Sequence, residues 1–318
     1  MAEASMTSED TGRFARTHVL ADGRVLGYAD AGLASGRALV FFHGTPSSRL
    51  DAEWLDEPAA KAGWRVIAVD RPGIGLSSPV HGDVVTDVAD DVVQLLDALG
   101  VERASVLGYS GGAPYALAAA RELPDRVELV GLVSGWGPPD RTDAYVDVAT
   151  IERLSDAIAR HAPVLTRAMF AAVSTSLRLA PTTSARLLAR RFEGEAPTLE
   201  PTPEALTPVL EAFRQGSAGA ARDLHLIVRP WGFALDEIRA PVRLWHGDHD
   251  REIPLHHSEY VAAAVRDGRL EVLDGGDHLA LFRHAEDILT ALASCAVDRP
   301  ASPPDPREVV REPAARRA

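Results

Sequence analysis

Gly108-Tyr109-Ser110-Gly111-Gly112 stands between two runs of opposite character. Residues 104–107 are a short apolar run that reads as a strand, and residues 113–121 are alanine-rich and read as a helix. Gly-x-Ser-x-Gly in that setting is the pattern of a candidate nucleophile elbow. A turn this tight strains the serine backbone and brings chain segments too close for side chains, so glycine flanks it. Pro114 falls in the first helical turn, where a missing N–H costs nothing, and the amide of Gly111 lies at the positive end of the helix. An oxyanion could be held there.

Outward from this turn, apolar runs alternate with helical patterns. Residues 17–20 and 24–28 flank Ala21-Asp22-Gly23, which has hairpin-turn chemistry. The runs 38–42, 65–69, 127–133, 242–245 and 270–273 read as further strands, and short continuous apolar runs mark strands buried on both faces. Helices are expected at about 53–62, 83–99, 255–265 and 282–295. The alternation implies βαβ units and an α/β fold: a doubly wound, mostly parallel sheet. From 140 to 239 the rhythm stops. That segment is rich in Ala, Arg and Leu at helical spacing, as in 151–160 and 164–179, and is interrupted by Pro181, Pro197, Pro201 and Pro203. It reads as a helical insertion (140–239) in a core formed by 13–139 and 240–296. Residues 1–12 and the proline- and charge-rich 297–318 read as disordered.

Composition narrows the function classes. Against 33 Lys and Arg stand 46 Asp and Glu, a formal net charge of -13 that argues against nucleic acid or an anionic membrane as partner. Cys295 is the single cysteine, so an internal disulfide and a thiolate metal cage are both excluded. The polar, acidic start does not resemble a signal peptide, and no apolar run approaches the roughly 18 residues of a membrane span. The expectation is a cytoplasmic protein with a small-molecule substrate.

A serine hydroxyl needs a general base, and an imidazole base needs a partner that fixes its tautomer. On a doubly wound sheet both should leave the carboxyl ends of strands. His278 does so, through Asp274-Gly275-Gly276-Asp277, whereas His256, His257 and His284 fall in expected helices. For the acid, Asp250 closes Gly247-Asp248-His249-Asp250 directly after a strand; Asp248 is its rival and Asp140 a more distant one. The order Ser, Asp, His is that of α/β-hydrolases.

With these residues in hand the chain resembles the α/β-hydrolase fold family, in its large group of serine hydrolases with a helical cap. The likeness runs from about residue 19 to 294. It is carried by His43-Gly44-Thr45-Pro46, Asp70-Arg71-Pro72-Gly73-Ile74-Gly75-Leu76-Ser77, the Ser110 turn, Gly247 through Asp250, and Gly276-Asp277-His278. The resemblance implies that the amide of Thr45 joins that of Gly111 in an oxyanion hole, and that the insertion is a lid over the pocket. The His-Gly-Gly-Gly loop of hormone-sensitive-lipase-like members and the Gly-Gly-Ser-Trp-Gly elbow of proline iminopeptidases are absent. Relatives of this fold that open epoxides or remove halide carry aspartate where Ser110 stands, so serine points to acyl chemistry. Esters are the leading substrates, with lactones, thioesters, amides or carbon–carbon bonds as alternatives, and a catalytically silent binding module as a reading of another class.

Other features weigh less. Gly73-Ile74-Gly75 lacks the third glycine and the immediate helix of a dinucleotide fingerprint, so no nicotinamide or flavin cofactor is expected. His246, Asp248, His249, Asp250, His256 and His257 have the residue types of metal ligands, but zinc chemistry would require them to converge, and no metal is expected. His43 reads as steadying the loop that presents Thr45. Trp136, where the insertion begins, is either a core aromatic or part of an acyl pocket. Arg153, Arg160 and Arg167 read as a solvated face.

Overall fold

The computed structural model describes residues 12–80, 82, 84–141, 144, 146, 148, 150–192 and 202–297. The expectations of disorder at the two ends therefore lie, for 1–11 and 298–318, outside the described residues, as do Pro197 and Pro201.

The strands are β1 (Arg16–Val19), β2 (Val25–Gly32), β3 (Arg37–Phe42), β4 (Trp64–Val69), β5 (Ala104–Tyr109), β6 (Val127–Val133), β7 (Val242–Gly247) and β8 (Gly268–Leu273). They form one sheet in the order β1-β2-β4-β3-β5-β6-β7-β8. The hairpin β1–β2 pairs antiparallel to β4, and every pairing from β4 to β8 is parallel. The chain leaves β3 towards one edge of the sheet and returns at β5 on its other side. Loops after β3 and β5 therefore diverge around a crevice at the carboxyl ends of the strands, the place where open α/β sheets bind ligands.

Core helices are α1 (Asp56–Ala62), α2 (Val88–Ala98) and α3 (Ala113–Glu122). Strand side chains alternate between two apolar layers. Val40, Phe42, Val106 and Leu132 pack with α2 and α3 on one face, while Leu39, Phe41, Leu107 and Val133 pack with α1 and the last helix on the other. Residues Ala113 to Ala120 of α3 are all buried, which is why that helix is apolar all round.

Between β6 and β7 lie α4 (Thr150–His161), α5 (Pro163–Leu179), α6 (Pro181–Phe192), α7 (Thr207–Ala212) and α8 (Ala218–Ile227), with a small core of their own around Phe170, Leu177, Leu206 and Phe213. After β7 come α9 (His256–Ala264), then beyond β8 α10 (Ala280–Arg283) and α11 (Ala285–Val297). Gln215 Nε2 donates to the carbonyls of Gly75 and Ser77 at 2.8 Å each, and Arg49 Nη1 meets Glu211 Oε1 at 2.7 Å. The second half of the inserted segment is thus fastened by polar contacts to the loops after β3 and β4.

Several boundaries depart from the sequence reading. The helix expected from 53 begins at Asp56, after a 3₁₀ turn at Arg49–Glu53, because Pro58 is tolerated only in a first helical turn. The helix expected from 83 begins at Val88; β-branched Val84, Val85 and Thr86 disfavour helix, and Val85–Asp87 forms a 3₁₀ turn. Pro181 opens α6 instead of interrupting a helix. The last helix is broken at His284, whose φ and ψ of -117° and 26° leave the helical region, so that His284 is not inside a helix.

Candidate active site

Ser110 follows β5 with φ of +52°, a region that non-glycine residues rarely occupy and that costs about 1–3 kcal/mol. The turn is tight enough that a Cβ on Gly112 would meet the carbonyl oxygen of Phe42 at 2.0 Å. Phe42 and Gly108 are in register, so the loops after β3 and β5 start at the same level of the sheet. A Cβ on Gly111 would meet Thr45 Oγ1 at 2.6 Å, so the two expected oxyanion residues abut beside the serine.

His278 reaches Ser110 from two strand gaps beyond β6. Neighbouring strands are about 4.8 Å apart, so β5 and β8 are too distant for direct contact, and the loop after β8 must cross the end of β7. It does so where two glycines meet. A Cβ on Gly247 would lie 2.1 Å from the carbonyl oxygen of Gly276, and His249 N donates to that carbonyl at 2.9 Å. Gly247→Ala is therefore expected to lower the melting temperature, with a loss of about 1–3 kcal/mol read by thermal unfolding.

The crossing brings three expected residues together. His278 Nε2 lies 3.0 Å from Ser110 Oγ, and His278 Nδ1 lies 2.8 Å from Asp250 Oδ2. Asp250 Oδ1 accepts from the amides of Glu252 and Ile253 at 2.9 Å each, which fixes the carboxylate. All three side chains are buried. Burial pushes the Asp250 carboxyl up, but the charge of His278 and hydrogen bonds from His246 and His278 prevail and hold it below the usual carboxylate range. Burial lowers the His278 imidazole, but the charge and hydrogen bond of Asp250 prevail and raise it above its ordinary value.

The rival acids stand elsewhere. Asp248 is exposed and accepts from the Gly275 amide at 2.7 Å, and Asp140 is exposed. His43 is fully buried, and Nδ1 donates to the carbonyl of Gly44 at 2.8 Å. Burial and then the charge of Arg71 hold it well below the usual imidazole value, so it is neutral. Trp136 packs edge-on against His257 at 5.1 Å, while its amide donates to the Ser110 carbonyl at 3.4 Å. The indole thus has a packing role of its own.

The residues of metal-ligand type meet at most in pairs, His246 with Asp250 and His256 with His257, and spend their ring nitrogens elsewhere. His246 uses Nδ1 on Ser258 Oγ (2.7 Å) and Nε2 on the Ile253 carbonyl (2.8 Å), His256 Nε2 meets the Val146 carbonyl at 2.9 Å, and His257 Nδ1 accepts from Gly137 N at 3.0 Å. Among the described residues, no group of three or more His, Cys, Asp or Glu could hold a metal ion, and no helix is long and apolar enough to cross a membrane.

Sequence reasoning missed several supporting residues. His246 Nε2 lies 3.3 Å from Asp250 Oδ2, as a second imidazole on that carboxylate. Tyr109 Oη donates to the His278 carbonyl at 3.0 Å and ties the serine turn to the histidine loop. Asp223 on α8 forms a buried ion pair with Arg71 at 2.6 Å. The signal for Asp223 was available: it shares a helix face with Ala220, Leu226 and Ile227, and a lone carboxylate on an apolar face needs a buried partner.

A profile of the α/β-hydrolase fold matches residues 37–285. The chain belongs to the α/β-hydrolase fold family. Within it, the chain is 30% identical over 280 residues to a bifunctional esterase/perhydrolase of Acinetobacter calcoaceticus, a match covering 84% of this chain and 94% of that protein. Over 79 residues it is 42% identical to a putative carbamate hydrolase of Caulobacter sp. (strain K31), where the match spans 24% of this chain and only 30% of the relative. In structure it resembles an esterase from Exiguobacterium antarcticum, with a TM-score of 0.65, 19% identity and coverage of 89% of this chain and 99% of that one. The family's fold is the architecture described above.

Proposed function

We propose that this chain is a cofactor-free serine hydrolase acting on small-molecule carboxylic esters, with Ser110 as nucleophile, His278 as base and Asp250 as its orienting partner. The observation that carries this reading is the continuous hydrogen-bonded path Ser110 Oγ–His278–Asp250, at 3.0 and 2.8 Å, hung on a strained serine turn. Ser110 Oγ attacks the ester carbonyl carbon as its proton passes to His278 Nε2. The resulting oxyanion is held by the amides of Thr45 and Gly111. Collapse expels the alcohol, which takes the proton from His278. Water then attacks the acyl-enzyme, giving up a proton to His278, and acid product and free serine are restored.

The helices of 140–239 act in this reading as a cap that shapes the acyl and leaving-group pocket, with Trp136 at its base. The ester class is favoured by the esterase/perhydrolase relative, which matches over most of both chains. Lactones, thioesters, amides and carbon–carbon bonds would use the same triad and belong in the same substrate panel.

The test is labelling with a fluorophosphonate, followed by mass spectrometry to place the adduct, and turnover of aryl esters. An adduct on Ser110 supports the reading; an unlabelled protein at every pH from about 6 to 9, which spans imidazole titration, favours a silent module. A pH profile gives a second check. The base must be neutral to accept the serine proton, and Asp250 raises the His278 pKa. The acid limb of kcat/KM therefore rises with pH through a midpoint above that of an ordinary imidazole.

A further inference from the structure

Arg71 lies in the loop after β4, Asp223 on α8, and the two side chains are 1% and 3% exposed. Arg71 meets both carboxylate oxygens, Nε on Oδ1 and Nη2 on Oδ2, at 2.6 Å each. This bidentate fork leaves no rotational freedom to the guanidinium. Its other face grips three consecutive residues of the loop after β3: Nη1 donates to the His43 carbonyl at 2.5 Å, and Nη2 to the Gly44 carbonyl at 3.0 Å and Thr45 Oγ1 at 2.8 Å. The Gly44 carbonyl also accepts from His43 Nδ1 at 2.8 Å.

The peptide bond converts these contacts into a statement about the oxyanion donor. The carbonyl of Gly44 and the N–H of Thr45 belong to one planar trans unit and point in opposite directions. Two donors on that carbonyl therefore fix the direction of the Thr45 N–H. Thr45 Oγ1 additionally donates to Asp223 Oδ2 at 2.5 Å. Burial pushes the Asp223 carboxyl up, but the charge and hydrogen bonds of Arg71 prevail and keep it ionised.

We propose that Asp223 and Arg71 are positioning residues for the oxyanion hole: the pair orients the Gly44–Thr45 peptide and makes that orientation depend on α8 being docked. The inserted segment then acts on the reaction itself as well as on pocket shape. This inference rests on the serine-hydrolase reading, in which the Thr45 amide is an oxyanion donor.

The experiment compares Asp223→Asn, Thr45→Val and Tyr115→Phe with wild type, reading kcat and KM on an aryl ester, thermal unfolding, and hydrogen exchange of peptides covering residues 43–49. Tyr115→Phe is the graded comparison: its hydroxyl donates to Asp223 Oδ1 at 2.8 Å, on the oxygen that does not hold Thr45, and its removal leaves both Arg71 contacts to the carboxylate in place. Asp223→Asn is expected to lower kcat by about 10- to 100-fold, short of the roughly 100- to 1000-fold that outright loss of one oxyanion donor costs, with KM within about twofold and faster exchange in 43–49. Tyr115→Phe is expected to lower kcat less than Asp223→Asn does. Should Asp223→Asn not fold, Thr45→Val, which keeps the amide and removes only the Oγ1 link, is expected to lower kcat at least about 10-fold. A folded Asp223→Asn, or Thr45→Val, with wild-type kcat overturns the proposal, as does an equal loss in Tyr115→Phe. Absence of Ser110 labelling in wild type would count against the hydrolase reading alone, while the exchange rates still report whether the pair holds the loop; unchanged exchange in Asp223→Asn overturns it.

Discussion

Ser110→Ala is expected to lower kcat on an aryl ester by about 10⁴- to 10⁶-fold and to abolish fluorophosphonate labelling, with an unchanged melting curve to within a few degrees. The size follows from the chemistry: without the hydroxyl no acyl-enzyme forms, and only water attack assisted by the oxyanion amides remains. The fold should survive because alanine at φ of +52° is no more strained than serine, and Ser110 Oγ has its contact with His278 Nε2 rather than with the frame of the sheet. Turnover near the wild-type rate in a variant verified by mass would sink the assignment of Ser110 as nucleophile.

Asp250→Asn should cost nearly as much, about 10⁴-fold in kcat near neutral pH, since an amide donating to Nδ1 favours the tautomer that cannot accept the serine proton. The pH dependence carries the sign. In wild type, the charge and hydrogen bond of Asp250 raise His278 against the lowering effect of burial. With asparagine the lowering effect of burial is opposed only by the lesser charges of Glu252 and Asp277, so the acid limb of kcat/KM is expected to move to lower pH, and a limb that stays in place or moves up would contradict the pairing. His246 shares the Asp250 carboxylate at 3.3 Å, and its bonds to Ser258 and Ile253 are expected to keep the loop folded in the variant. Circular dichroism and thermal unfolding separate that outcome from collapse of the site.

Much of this is legible in the sequence. The Ser110 turn, the loops ending at Asp250 and His278, and the strand alternation around them each have local causes: glycines where the chain folds sharply, β-branched and apolar runs where strands are buried, and turn residues between them. Such signals lie within a few residues of what they specify. The choice between Asp248 and Asp250 was open in the sequence because two carboxylates two residues apart fit the same loop. Their environments differ only in the folded chain, where Asp250 is buried on His278 and Asp248 is exposed beside Gly275. Helix starts shifted for the same reason that they are hard to read, since Pro58 and the run Val84-Val85-Thr86 act against helical patterns that continue through them.

The sequence by itself determined the α/β alternation, the position of the inserted helices and the places of Ser110, Asp250 and His278 in loops that follow strands, because periodicity and turn chemistry act over neighbouring residues. Tertiary structure alone decided which groups meet: Asp250 with His246, Tyr109 with the His278 carbonyl, and Asp223 with Arg71, pairs whose members lie 4, 169 and 152 residues apart. For the two distant pairs no local pattern encodes the partner. Burial forces each such polar group to find one, and only the packing of α8 and the strand-end loops around the crevice fixes which it is.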